Sequence, residues 1–110
     1  MSRLLDAEET TRQLGDLTGW RAAPDGLRAS YRAPTFATAV RWITEVADEA
    51  EQMDHHPDVD LRWCTVSLRC TTHSAGGVTQ LDVELAHRAQ QWAQQLGLAP
   101  VAPQPMAPSA

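Results

Sequence analysis

Three of the four histidines in this chain, His55, His56 and His73, fall within nineteen residues, and carboxylates stand close by at Glu51 and Asp82. Imidazole titrates near neutrality, so such a cluster can give a proton to one atom of a substrate and take one from another. Two other readings fit the same residues. His55 and His56 can be solvated side chains at a helix C-terminus, where the helix dipole favours a positive ring. Three histidines can also hold zinc with one position left open. Adjacent histidines point apart, however, and no pair is spaced one helical turn apart. Neighbouring residues carry weaker signals. Ser74 lacks the flanking glycines of a nucleophile elbow, and Gly76-Gly77 lacks a phosphate-cradling pattern. Asp82 is in the first place the third residue of a helix start. Trp20 and Trp63 can be core residues, or aromatics that stack on a flat heterocycle.

The elements that must position these groups follow from pattern. Asp6-Ala7-Glu8-Glu9 has the spacing of a capping box and opens a helix over about Ala7 to Leu17. Trp20 begins an extended stretch, and Pro24-Asp25-Gly26 is a turn. Leu27, Ala29 and Tyr31 then alternate with Arg28, Ser30 and Arg32, predicting a hairpin with one apolar face. Thr35 caps a second helix whose apolar stripe reads Phe36, Val40, Ile43, Ala47 and Ala50. Pro57 stops it, leaving His55 and His56 in a frayed last turn. Cys64, Val66, Leu68 and Cys70 alternate as a strand that leads into His73. Thr79 to Asp82 starts a third helix with Leu81, Leu85, Ala89, Trp92 and Leu96 on one side. The expected fold is α+β, an antiparallel sheet with the helices gathered on one face. Residues 1–98 form the domain. Residues 99–110, rich in proline and alanine, form a tail expected to be disordered.

With 110 residues and a formal net charge of −5, the chain is one acidic domain without a basic run, which argues against nucleic acid or an anionic membrane as partner. Cys64 and Cys70 lie six apart on an extended segment, roughly 20 Å and beyond disulfide reach, so both are expected as free buried thiols in a reducing compartment. No stretch has membrane-spanning length, and a cytoplasmic protein is expected.

One pattern joins the chemical residues. Glu51, three residues, His55-His56-Pro57, five residues, Trp63, nine residues, His73, eight residues and Asp82 resembles the signature of the pterin-4a-carbinolamine dehydratases. Gly19-Trp20, Thr71-Thr72-His73, Ala75-Gly76-Gly77 and Thr79-x-Leu81-Asp82 follow in the same order and spacing, so the resemblance spans about Leu4 to Leu96. It implies a four-stranded antiparallel sheet with three helices on one side, and assembly as a homodimer or homotetramer. It implies a hydro-lyase that dehydrates 4a-hydroxytetrahydropterin to quinonoid dihydropterin without metal or organic cofactor, recycling the pterin spent by aromatic amino acid hydroxylases. By the same resemblance His55 and His73 are the acid/base pair, and His56 binds or orients the pterin and shares in proton transfer. Pro57, with Thr72, His73, Ser74 and Ala75, lines the pocket, as do Trp20 and Trp63, while Glu51 and Asp82 orient the histidines. All three imidazoles are expected at one cleft. The chain departs from the pattern at Val59-Asp60 and Trp63-Cys64, where an aromatic and a Tyr-Asn-like turn are common. Relatives of this fold without catalysis serve as a dimerisation cofactor for a transcription factor, or as an assembly chaperone for a carbon-fixing enzyme.

Overall fold

Helix α1 (Ala7–Leu14) starts as its sequence dictates: Asp6 Oδ1 accepts the Glu9 N–H at 2.8 Å and Glu9 Oε1 accepts the Asp6 N–H at 3.1 Å. It stops three residues before Leu17 because Gly15 breaks the helical path. The structure, a computed structural model, describes residues 3–108. After α1 come β1 (Arg21–Ala23), β2 (Gly26–Arg32), helix α2 (Phe36–Met53), β3 (Asp58–Arg62), β4 (Thr65–Cys70), a 3-10 turn (His73–Ala75), helix α3 (Gln80–Leu96) and β5 (Ala99–Val101). The strands run antiparallel in the order β1-β2-β4-β3.

The sheet has five strands, where the resemblance implies four. The fifth, β5, pairs with Ser30 to Arg32 of β2, while β1 pairs with Gly26 to Arg28, so the two short strands share one outer row. Residues 99–101, expected without structure, therefore belong to the sheet. Pro100 does not prevent this, because an outer strand tolerates a residue with no N–H to donate. Beyond β5 the chain crosses the face of the sheet away from the helices: the Gln104 N–H donates to Ser30 Oγ at 2.9 Å, and Ser30 bonds Ser67 at 2.7 Å. Both serines are buried.

The other face carries the core. Leu27, Ala29 and Tyr31 of β2 and Val66, Leu68 and Cys70 of β4 meet Leu14, Trp42, Val46, Val83, Leu85 and Ala89 from the three helices. On α2 the buried stripe is Ala39, Trp42, Val46 and Ala50, which differs from the expected one. Phe36 and Val40 are 52% and 40% exposed, and Ala47 is exposed too. Trp42 decides the rotation of the helix. It buries the largest side chain, stacks tilted on Tyr31 with centroids 4.9 Å apart, and satisfies its indole N–H on the Ala89 carbonyl at 3.0 Å. At the β1–β2 turn, Gly26 (φ 131°) passes so close to β4 that a Cβ would lie 2.5 Å from the Cys70 carbonyl oxygen. No helix among the described residues is long and apolar enough to cross a membrane.

Candidate active site

Helix α2 ends at Asp54, whose left-handed backbone (φ 49°, ψ 46°) turns the chain three residues before Pro57. The His55 N–H then returns to the Ala50 carbonyl at 3.0 Å, closing the helix with a defined motif where the sequence predicts fraying. This reversal sends the two histidines apart. His55 is buried, whereas His56 is exposed and bonds Glu51 Oε2 at 3.0 Å.

His55 reaches Asp82, which is fully buried in the first turn of α3. Its Nε2 lies 2.6 Å from Asp82 Oδ1. Asp82 Oδ2 accepts the Thr79 N–H at 2.9 Å, completing a capping box, and the Thr72 hydroxyl at 2.8 Å. An ionised carboxylate only accepts, so the direction of every proton follows. Thr72 gives its one hydroxyl proton to Asp82, so the Thr79 hydroxyl, 2.8 Å away, must donate to Thr72. His55 must carry its proton on Nε2. That leaves Nδ1 as the ring nitrogen open to other partners. Asp82 itself has no exposed surface.

The same node reaches the third histidine by covalent connection, since Thr72 precedes His73. Hydrogen bonds from His55 to Asp82 to Thr72 thus tie the exit of α2 to the end of β4. His73 opens the 3-10 turn, exposed, and lines a cavity of about 460 Å³ together with Thr71, Asp25, Gly26, Gly76 and Gly77. His55 and His56 do not line this cavity. Hydrogen bonds through Asp82 link His55 to the segment that carries His73 into this wall.

Among the remaining expected site residues, Glu51 and Pro57 flank the histidine pair, and Ser74 and Ala75 follow His73 in its turn. The two tryptophans stand apart. Trp20 is core: its indole donates to the Tyr31 hydroxyl at 2.9 Å, and Tyr31 in turn donates to Gln90. Trp63, 70% exposed, sits in the β3–β4 turn with φ 50°, its ring 5.3 Å from the Arg32 guanidinium carbon. It lies six positions beyond Pro57 along an extended strand, roughly 20 Å of chain. Spacing in sequence suggested proximity, but β3 carries Trp63 away along its length. Thr79 is the member of the node that sequence reading left out; as N-cap of a helix whose third residue is Asp82, it had to share that carboxylate. Cys64 and Cys70 are free and buried, as expected. Burial, reinforced by the Asp82 and Asp58 carboxylates, pushes the Cys70 thiol up, so it stays protonated and is no nucleophile. Among the described residues no three His, Cys, Asp or Glu side chains form a metal-ligand group.

The profile of the family described as Pterin 4 alpha carbinolamine dehydratase matches residues 3–92. The chain belongs to this family. A protein of Roseiflexus sp. (strain RS-1) named "Putative pterin-4-alpha-carbinolamine dehydratase" is 48% identical over 85 residues, 77% of this chain and 90% of that one. A protein of the same name from Mycobacterium tuberculosis (strain ATCC 25618 / H37Rv) is 42% identical over 84 residues, 76% of this chain and 89% of its own. Among solved structures, the crystal structure of transcriptional coactivator/pterin dehydratase from Brucella Melitensis superposes with a TM-score of 0.78 at 30% identity, over 83% of this chain and 99% of that one. Membership in the pterin carbinolamine dehydratase family agrees with the helix and strand order described above. The fifth strand, from residues 99–101, lies beyond the matched segment.

Proposed function

We propose that the protein dehydrates 4a-hydroxytetrahydropterin to quinonoid dihydropterin and water. The observation that carries this reading is the buried Asp82 node, which fixes one histidine tautomer and ties it to the segment bearing another histidine. In the reaction the C4a–O bond breaks, the departing hydroxide takes up a proton to leave as water, and the ring N5 gives up its proton. His55, held through Nε2, has Nδ1 free to accept the N5 proton. His73, exposed at the cavity wall, exchanges readily with water and delivers the proton to the leaving oxygen. Each such transfer by a positioned group contributes about 10²–10⁴-fold. His56, Pro57, Thr72, Ser74 and Ala75 hold the bicyclic ring, and Glu51 orients His56. The chemistry needs only proton transfer, so the proposal includes no metal or organic cofactor. A cytoplasmic homodimer or homotetramer that serves an aromatic amino acid hydroxylase fits this role. The test is stopped-flow absorbance on chemically generated 4a-carbinolamine: accelerated decay is expected, and decay at the uncatalysed rate would overturn the proposal.

A second reading is favoured by one observation. Phe36, Val40 and Ala47 leave an apolar stripe on α2 open to solvent. A non-catalytic assembly or dimerisation factor would use such a face. In that case alanine at Phe36 and Val40 would abolish partner binding while histidine variants would not.

A further inference from the structure

Arg69 is the most deeply buried cation described, with 3% of its side chain exposed, and it sits on the polar face of β4, three residues before Thr72. Burying a guanidinium is costly unless its donors are paired. Here they are paired in three directions. Nε donates to Asp58 Oδ2 at 3.0 Å, Nη1 to Asp25 Oδ2 at 3.1 Å, and Nη2 to the Ala107 carbonyl at 2.8 Å. The partners come from three separate parts of the chain. Asp58 opens β3, directly after His55-His56-Pro57. Asp25 lies in the β1–β2 turn and lines the same cavity as His73. Ala107 belongs to the C-terminal segment, which is anchored on the sheet through Gln104 and Ser30.

The planar fork of arginine suits such a three-way junction, and a lysine ammonium does not. Arg28 faces Arg69 across the β2–β4 pair, and its Nε lies 4.0 Å from Asp25 Oδ1. The two arginines are thus balanced by Asp25 and Asp58. Resting on the proposed dehydration, we infer that Arg69 is a positioning residue for it. Through Asp58 it fixes the strand leaving the histidine pair, and through Asp25 it fixes the wall of the cavity lined by His73. The C-terminal segment closes over the guanidinium and makes residues 99–108 a working part of the site.

Full-length Arg69→Gln and Arg69→Lys are compared with the unaltered protein by steady-state kinetics and by NMR of the histidine imidazoles. Displacements well under 1 Å are expected, so Arg69→Gln lowers kcat about tenfold with KM within about twofold, and Arg69→Lys falls between the two. The signals of His56 and His73 shift in Arg69→Gln, a change that loss of stability alone would not produce in the folded fraction. Unchanged kcat and unchanged imidazole signals in Arg69→Gln would overturn the role of Arg69 and leave the dehydratase proposal standing. An unaltered protein without dehydratase activity would overturn that proposal instead, and the imidazole signals would still decide whether Arg69 positions the histidines. Should Arg69→Gln fail to fold, the same two readouts on Arg69→Lys and Asp25→Asn decide the matter, with unchanged values overturning the inference.

Discussion

Two buried polar networks lie at opposite ends of the sheet, and they do different things. At one end the Trp20 indole donates to Tyr31 and the Tyr31 hydroxyl donates to Gln90, with β5 covering the edge beside them. At the other end Asp82, Thr72 and Thr79 are likewise hydrogen-bonded, but the network also includes His55, one of whose ring nitrogens is left over. Hydrogen bonding rigidifies both ends. Only the second holds a group that can still exchange a proton. Burial and satisfied donors thus make a scaffold; a site needs a scaffold with one valence open.

Removing the centre of the second network tests this most severely. Asp82→Ala strands the Thr79 N–H, the Thr72 hydroxyl and the His55 N–H together, so a stability loss of about 3–5 kcal/mol is expected, with the helix cap included. Urea unfolding checks that value. The surviving folded protein should dehydrate about 10²-fold more slowly, because His55 no longer has a fixed tautomer. An Asp82→Ala protein of unaltered stability would show that the node is ornamental.

His55→Ala and His73→Ala separate the two roles. Each should slow dehydration by at least about tenfold. His55→Ala also leaves the buried Asp82 carboxylate without one donor and should cost about 1–3 kcal/mol, whereas exposed His73 should cost no more than about 0.5 kcal/mol. If His55 is the base, its loss removes the rise of the rate with pH on the acid side; if His73 is the acid, its loss removes the fall on the alkaline side. Profiles with the limbs exchanged would reverse the assignment.

At the first end, Tyr31→Phe should cost about 1–2 kcal/mol, from the Trp20 donor and Gln90 acceptor left without a partner, and should not change the rate. Burial pushes the Tyr31 hydroxyl up to about 12. The unfolded chain releases that proton near pH ~10, so the contribution is fully present below about pH 10 and is lost as pH rises from there through about 12. Denaturation followed across this window should show falling stability in the unaltered protein and a flatter slope in Tyr31→Phe. An activity loss in Tyr31→Phe would mean that the two networks are coupled through the sheet.

Much of this division was legible in the sequence, and the part that was not has a common cause. Capping boxes at Asp6 and Thr79 and alternation in β2 and β4 are local patterns, and the structure realises each of them. Choices that tertiary packing makes were not local. The rotation of α2 depends on Trp42 finding Tyr31 and Ala89, so the stripe through Phe36 and Val40 looked equally good from the sequence. Trp20 carries the same aromatic signature whether it stacks on a ligand or donates to Tyr31. Strand β5 consists of Ala99, Pro100 and Val101, a composition that reads as coil until β2 offers it an edge. Nor does any motif announce the Arg69 junction, because its three partners are 11, 44 and 38 residues away.

The smallest effect is expected at the exposed contact between Glu51 and His56. Glu51 and His56 are 75% and 56% exposed in their side chains, so their 3.0 Å contact is screened by water. Glu51→Gln should change stability by less than about 0.5 kcal/mol, as exposed pairs do. If Glu51 only orients His56 toward the pterin ring, KM should rise by no more than about threefold with kcat unchanged, because the loss is one of uniform binding. A drop in kcat matching that of His55→Ala would place the proton transfer at the exposed histidine. Both buried networks would then be structural support, and the distinction between them would fall.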